Sequence, residues 1–454
     1  MKRRTFLATS LFLGGSGYWA YQKANQFRLG SYRPTVQPDG VWKNWSGSQS
    51  CRPTTWITPQ SSNELQSWLK SSSQPVRVVG GGHSFSPLIP TPDALISLEN
   101  FQGIQEINAK EQWVVVRAGT SLADLTHALF QHGFALENQG DINHQTVAGA
   151  ISTSTHGTGA KLTSLGAMVL DFDLLTANGE QLSGKDWVEA GAVSLGLLGI
   201  MTQIKLKIVP SYRLFEKITP TPTLEALAQF ESLVQTNRHA ELFLFFHGNT
   251  CLVKTLQPTN KPSTPQNSPL LSDDFLLSLG LSLSGSKGQR SPQILESMES
   301  VLEESSRIGE AYQIFPSPRE VRFNEMEYQI PLPQGLQALK SLWELGRAEK
   351  WPIFFPMEVR VVAADSYWLS PFYQQPSLSI SVHQAAHLDY APYFKKAHTV
   401  LSHFGGRPHW GKLSFYSPKD QIKLYPKWAD FQTLKMELDP THRFTNSYFK
   451  PFFS

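Results

Sequence analysis

The chain has 454 residues, 40% of them hydrophobic and 11% aromatic, with 12 Trp and 27 Phe. That much apolar side chain furnishes cores for roughly two or three domains and excludes a disordered or fibrous protein. The formal charge of +3 equals what Lys2, Arg3 and Arg4 contribute, so the body is balanced, lacks the electrostatic footprint of a nucleic-acid binder and points to a small-molecule partner.

Residues 1–24 open with Lys2-Arg3-Arg4 and run into an apolar, glycine-interrupted stretch ending at Tyr21, the layout of an export signal. The pair Arg3-Arg4 followed by Phe6-Leu7 resembles the twin-arginine signals that carry folded, cofactor-loaded proteins across bacterial membranes. Large residues, Tyr18 and Gln22, stand where a cleavage site wants small ones. The expectation is an exported bacterial protein, periplasmic or held to the membrane by this segment. The apolar run, about 16 residues, is at or below the short limit for a spanning helix.

Beyond a polar stretch at 30–50, strands and helices alternate, which favours an α/β or α+β body. Ser61, Ser62 or Asn63 is placed to cap a helix whose apolar face is Leu65, Trp68 and Leu69. Val76–Val79 reads as a strand and runs into Gly80-Gly81-Gly82-His83-Ser84-Phe85. Glycines let backbone N–H groups approach a ligand with no Cβ in the way, so this reads as a diphosphate cradle. The dinucleotide fingerprint fails because Phe85 stands at its third glycine, and the Walker pattern at Gly280 fails because Ser286 precedes Lys287. Trp113–Arg117 is a predicted strand, and Ser121–His132 a helix with Leu122, Leu125 and Leu129 on one face. From Gly140-Asp141 to Gly159 the residues are mostly small or polar, with no further acid, Lys or Arg. They suit an extended cradle for a long polar ligand. Phe172–Ser183 reads as a hairpin turning at Asn178-Gly179, and Ile200–Val209 alternates as an edge strand does. Together these elements make one domain over 35–210.

The second half, 211–454, carries predicted strands at Leu242–Phe246, Cys251–Leu256, Phe354–Val362 and Ser377–Val382. Helices are expected at Ile294–Ser305, Leu336–Glu349 and Asp389–His403. Residues 257–292 read as a surface insertion or lid, and the aromatic stretch Pro440–Ser454 as packed down. Cys51 and Cys251 exclude a disulfide framework and are expected as buried thiols, with a single bridge between them as the alternative. Glu358 and Arg360 lie two apart on an otherwise apolar strand, so both project from one face, and a buried Glu and Arg need a purpose. His383 and His387 have the spacing of a helical metal pair, but the alternation Leu378, Ile380, Val382 puts His383 at a strand end, so no metal site is expected.

In chain order, Val78–Pro87, Gly140-Asp141, Thr146–Ala150 and Thr155–Gly159 resemble the FAD-binding domain of the vanillyl-alcohol-oxidase (PCMH-type) flavoproteins. The aldonolactone and alditol oxidase branch is matched further by Asn324–Tyr328, Glu358-Val359-Arg360, His383, His409-Trp410-Gly411-Lys412, and Asp439, Pro440, Phe444 and Asn446. The resemblance covers the chain from about residue 40 onward. It implies a two-domain α+β fold, a PCMH-type FAD domain followed by an α+β substrate (cap) domain, and FAD joined covalently to His83. The FAD would be cradled first by Gly80, Gly81, Gly82, Ser84 and Phe85. A second set implied is Gly140, Asp141, Thr146, Ala148 and Gly149, and a third is Ser154, His156, Gly157, Thr158 and Gly159. Ile200 is placed toward the adenine end.

Alcohol oxidation by a flavin needs the carbinol C–H aimed at N5, a group for the hydroxyl proton, and positive charge for the reduced flavin. By resemblance, Glu358 binds substrate hydroxyls, Arg360 and Lys412 favour the reduced anion and polarise the reacting oxygen, and His383 hydrogen-bonds the substrate or takes its proton. The implied activity is oxidation of an aldono-1,4-lactone with oxygen as acceptor, giving peroxide. The alternatives are a polyol substrate, or a quinone or cytochrome acceptor at the membrane. A remote alternative is a cofactor-free binding protein on the same fold.

Overall fold

The computed structural model describes residues 35–37, 39–264, 280, 281, 283–285, 287–299, 302–317 and 321–453. The expected leader at 1–24 and the centre of the expected insertion at 257–292 lie outside the described residues.

The first half carries two sheets. A parallel sheet has Ala94–Ser97 between Thr55–Ile57 and Val76–Val79. An antiparallel sheet runs in the order Gln181–Ser183, Val169–Leu175, Ile200–Lys207, Trp113–Arg117, Ile104–Asn108. Both expected helices form where local chemistry starts them. Ser61 accepts a hydrogen bond from the Glu64 N–H at the head of Ser62–Ser71, and Ser121 from the Asp124 N–H at the head of Leu122–Gln131. Leu65 and Leu69, and Leu122, Leu125 and Leu129, bury the faces that period 3.6 assigns them. Ile200–Lys207 departs from expectation, since it pairs on both sides and sits mid-sheet. Its alternation marks one buried face, with Ile204 and Leu206 inside and Lys205 outside, and carries no information about edges.

The second half is built on one sheet of eight strands. Their order is Ser305–Glu310, Arg213–Pro222, Thr250–Thr259, His239–Leu244, Met357–Val362, Ser377–Ala385, Phe323–Pro331, Arg407–Pro408, all antiparallel. The expected helix from Ile294 is shorter, Ser291–Met298, and Ser305 opens a strand instead. There pairing with Arg213–Ile218 overrides local propensity. The strand expected from Phe354 starts at Met357, after Pro356, which has no N–H to give to a ladder.

Period 2 splits this sheet into two faces. Met326, Tyr328, Ile330, Met357, Val359, Leu378 and Ile380 enter the core beneath the helices Leu332–Ala348 and Ala391–His403. Glu325, Glu327, Glu358, Arg360 and Ser381 take the opposite parity, and every one of them is buried. The polar face looks toward the first half.

A boundary at 210 does not describe the packing of the chain's end. Trp410, Trp428, Phe431, Phe444, Phe449 and Phe452 lie in the same core as Leu65, Ile96 and Val116. Arg77, on the strand leading into the glycine run, donates to the carbonyls of Leu195, Gly196 and Leu88, and at 2.6 Å to that of Phe444. Cys51 and Cys251 are free thiols, the second buried.

Candidate active site

Two cavities adjoin one another, the larger walled wholly by the first half and the smaller lying between the halves. A cleft of about 480 Å³ is walled by Gly80, Gly81, Gly82, Gly149, Ser194 and Met201, within the usual size range of ligand pockets. A smaller cavity of about 80 Å³ is lined by Trp45, Phe323, Glu325, Glu358, Arg360 and Lys412. His83 and Ser84 line both.

The cleft depends on glycine. A Cβ on Gly81 would come within 2.5 Å of the His144 carbonyl oxygen, and Gly82 has φ +66°, a conformation that side chains rarely adopt. Thr146 starts the short helix Val147–Ser152, its hydroxyl accepting from the Gly149 N–H. The wall combines glycine backbone and neutral hydroxyls with apolar side chains such as Val78, Ile89 and Met201, and the four carbonyls named above occupy the Arg77 guanidinium. Close-approach backbone and neutral donors suit the flat rings and diphosphate of a dinucleotide, so the residues present fit FAD. His83 stacks on Trp45, ring centroids 5.3 Å apart, and faces His144 at 6.2 Å. Burial above all, then the charges of His144 and Lys412, press its pKa down to about 3. The imidazole is therefore neutral.

In the smaller cavity strand register aligns the charges. Glu358 and Glu327 both stand opposite Ser381, Arg360 opposite Ser379 and Glu241, and Glu325 opposite His383. Arg360 pairs with Glu358, and its Nη2 donates to Asp141 Oδ2 at 2.6 Å. Burial disfavours that cation, yet Glu358, Asp141 and Glu241 outweigh it and hold the guanidinium well above its ordinary pKa. Lys412 pairs with Glu325, lies 3.9 Å from Glu327 and sits over the Phe85 ring. For Glu325 burial pushes upward, but Lys412 and then His383 prevail and hold the carboxyl at about 2. His383 donates from Nδ1 to the Pro356 carbonyl at 3.2 Å, which leaves Nε2 facing the cavity, 3.6 Å from Glu325. Ligand atoms of Asp141, Glu241 and Glu358 lie within 4.8 Å of one another. Arg360 and Lys254 already supply counter-charge there, which disfavours a metal ion.

The expected site residues divide by location. Gly80, Gly81, Gly82, Thr146, Ala148, Gly149 and Ile200 line the cleft, whereas Phe85, Gly140, Asp141 and His156 line the smaller cavity with Glu358, Arg360, His383 and Lys412. There Asp141 pairs with Arg360 and His156 with Glu327. Ser154, Gly157, Thr158 and Gly159 line neither cavity. Ser154 bonds Ser370 at 3.2 Å, Thr158 donates to the Ala240 carbonyl at 3.1 Å, and the Gly159 N–H to that of Val361 at 2.7 Å. Thr158 and Gly159 thereby fasten the loop to the eight-stranded sheet. Sequence reasoning assigned no role to Glu325, Glu327, Glu241, Lys254, His409, Trp45 or Phe323. A signal existed for the two glutamates, because Glu325-Met326-Glu327-Tyr328 alternates charge with apolar residues as Glu358-Val359-Arg360 does.

Comparison with known proteins adds relatives to this geometry. Residues 204–452 match a family model described as D-arabinono-1,4-lactone oxidase, and residues 53–184 that of an FAD binding domain. An L-gulono-1,4-lactone dehydrogenase of Mycobacterium tuberculosis is 34% identical over 90% of this chain and 98% of its own length. The L-gulonolactone oxidase of Mus musculus is 30% identical over 91% of this chain and 98% of its own, and an alditol oxidase of Streptomyces 26% over 90% and 97%. A crystal structure of cholesterol oxidase from B. sterolicum superposes with a TM-score of 0.77 at 15% identity, covering 94% of this chain and all of that one. At that identity the likeness is one of fold, the two-domain PCMH-type architecture that the motifs imply.

Proposed function

Because the chain belongs to the D-arabinono-1,4-lactone oxidase family, we propose that it oxidises an alcohol group of an aldono-1,4-lactone with FAD as redox cofactor. The observation that carries this reading is the meeting at His83 of a glycine-walled cleft and a small, charged cavity. When bound, FAD supplies the two-electron acceptor for the carbinol. The protein does the rest. Arg360, fixed between Glu358 and Asp141, offers N–H groups to the reacting oxygen. Glu358 accepts from substrate hydroxyls, and His383, its Nδ1 proton committed to Pro356, presents Nε2 to the hydroxyl proton. Trp45 and Phe323, ring centroids 5.1 Å apart, wall the cavity against water.

Covalent attachment of FAD through His83 belongs to the same proposal, supported by a neutral imidazole at the mouth of the cleft. The proposed electron acceptor is oxygen, giving hydrogen peroxide, in keeping with the murine relative's name as an oxidase. A second reading, an acceptor such as a quinone or cytochrome, is favoured by the mycobacterial relative's name as a dehydrogenase. A polyol substrate is favoured by the Streptomyces relative's name. Export, or attachment at a membrane, is supported by Lys2-Arg3-Arg4 and the apolar run behind them.

The test is to mix purified protein anaerobically with aldonolactones and polyols, follow the flavin absorbance, then admit air. Bleaching by lactones and recovery with peroxide is the expected result. Bleaching by polyols alone would transfer the reading to an alditol oxidase, and bleaching that air does not reverse to a dehydrogenase. A colourless protein that takes up no added FAD would overturn it.

A further inference from the structure

Behind the substrate cavity lies a buried lysine that the chemistry above does not use. Lys254, on Thr250–Thr259, does not line the cavity. Its Nζ lies 3.4 Å from Glu241, 3.8 Å from Glu216 and 3.9 Å from Asp141. Two of those carboxylates, Asp141 and Glu241, also hold Arg360, at 2.6 and 3.8 Å. Glu216 in turn accepts from Arg307, at 2.6 Å from Nε and 3.2 Å from Nη2. The group therefore has four carboxylates, Asp141, Glu216, Glu241 and Glu358, against three cations, Lys254, Arg307 and Arg360. Burial disfavours the ammonium, but Glu241, Asp141 and Glu216 outweigh it and keep Lys254 protonated, its pKa raised.

We propose that Lys254 is a positioning residue of the active site, one whose buried positive charge offsets Asp141 and Glu241 behind Arg360. The guanidinium is then shared between Asp141 and Glu358, and Glu358 meets the substrate as a carboxylate. This rests on the function proposed above, in which Glu358 and Arg360 touch substrate. Without the Lys254 charge, four buried carboxylates would face two cations. Removing a neighbouring cation raises a carboxyl pKa by about 1–3 units, so one of them takes up a proton at a higher pH than in the wild type. The other charges on this face have partners of their own: Glu327 with His156, and Glu325 with Lys412 and His383, while His409 lies near Glu327. Glu216 keeps both hydrogen bonds from Arg307, so the proton falls to Asp141, Glu241 or Glu358.

The test compares Lys254→Met and Lys254→Arg in the FAD-loaded enzyme. Lys254→Met is expected to move the acid limb of the kcat/KM–pH profile up by about one unit or more, which lowers kcat/KM below that limb by about tenfold. Lys254→Arg should retain the wild-type limb. The double variant Lys254→Met/Glu216→Gln restores the charge balance without rebuilding the contact and should bring the limb back. A protonated-carboxyl stretch in the infrared spectrum, stronger at a pH between the two limbs in Lys254→Met than in wild type or the double variant, reads the same event without turnover. Should Lys254→Met not fold, Glu216→Gln alone removes one negative charge and should move the limb down. An unmoved limb and infrared band in the variants would reduce Lys254 to structural support and overturn the proposal. If wild type oxidises neither lactones nor polyols, the functional reading fails, while the infrared comparison still decides the role of Lys254.

Discussion

Glu327, on the eight-stranded sheet, and His156, on the loop that leaves the FAD cleft, stand 2.6 Å apart, and both are buried. The same carboxylate oxygen accepts from Ser379 at 2.9 Å and from Gln329. His156 also donates from Nδ1 to the Gly157 carbonyl at 2.8 Å, so both ring nitrogens are engaged. One carboxylate therefore joins the two halves at the wall of the reaction cavity. Glu327→Ala would strand three buried donors and is expected to cost about 3–5 kcal/mol, the scale for breaking a buried pair. Urea denaturation checks this: an unshifted midpoint would refute the joining role.

Arg360→Lys keeps the charge and loses the fork. A single ammonium cannot serve Glu358 and Asp141 as the guanidinium does. Stopped-flow flavin reduction by the lactone should slow by roughly a hundredfold or more. The visible spectrum of bound FAD should persist, because Arg360 is absent from the cleft wall. Unchanged reduction would remove Arg360 from the mechanism.

His83→Ala tests the covalent link. Acid precipitation of wild type should leave yellow protein in the pellet, whereas the variant should release its flavin to the supernatant. Flavin retained by the variant would exclude His83 as the attachment point.

Acid should weaken the fold well above the carboxylate range. Burial lowers His239 from 6.5 to about 3 and His409 from 6.5 to about 4. Below pH 6.5 the unfolded chain binds protons that these folded imidazoles refuse, so stability present above that pH falls as pH drops toward the folded values. The loss is about 1.4 kcal/mol per pH unit for each histidine. Asp365 opposes this, since burial raises it from 3.8 to about 6 and its neutral form then favours the folded state as pH falls through 6. The two histidines outweigh it. Melting temperature should drop between pH 7 and 5, and His239→Asn should flatten that slope. Equal slopes in the two proteins would contradict the assignment.

What was legible in the sequence was what neighbours in the chain determine. Ser61 and Ser121 cap their helices because the N–H groups they satisfy lie three residues on. Glu358 and Arg360 share a face because a strand has period 2. What was not legible depends on partners far away. The role of Asp141 is set by Arg360, 219 residues later, and that of His156 by Glu327, 171 residues later. Ser305–Glu310 is a strand because Arg213–Ile218 offers it an edge. Lys254 carries no motif, and only the packed sheet brings three carboxylates around it.

The return of the chain's end to the first core bears on how the molecule is made. A ribosome that has just passed residue 210 has synthesised every strand of the five-stranded sheet. Phe444, whose carbonyl receives Arg77 across 367 residues, is then still unsynthesised, as are Phe449 and Phe452. Arg77 lines the cleft, so its wall stays unfinished until the final aromatic residues emerge. Such distant contacts slow folding and join both halves in one late event. The wall that would hold FAD is thus complete only in the full chain, and a chain cut short carries an apolar core with nothing to close it.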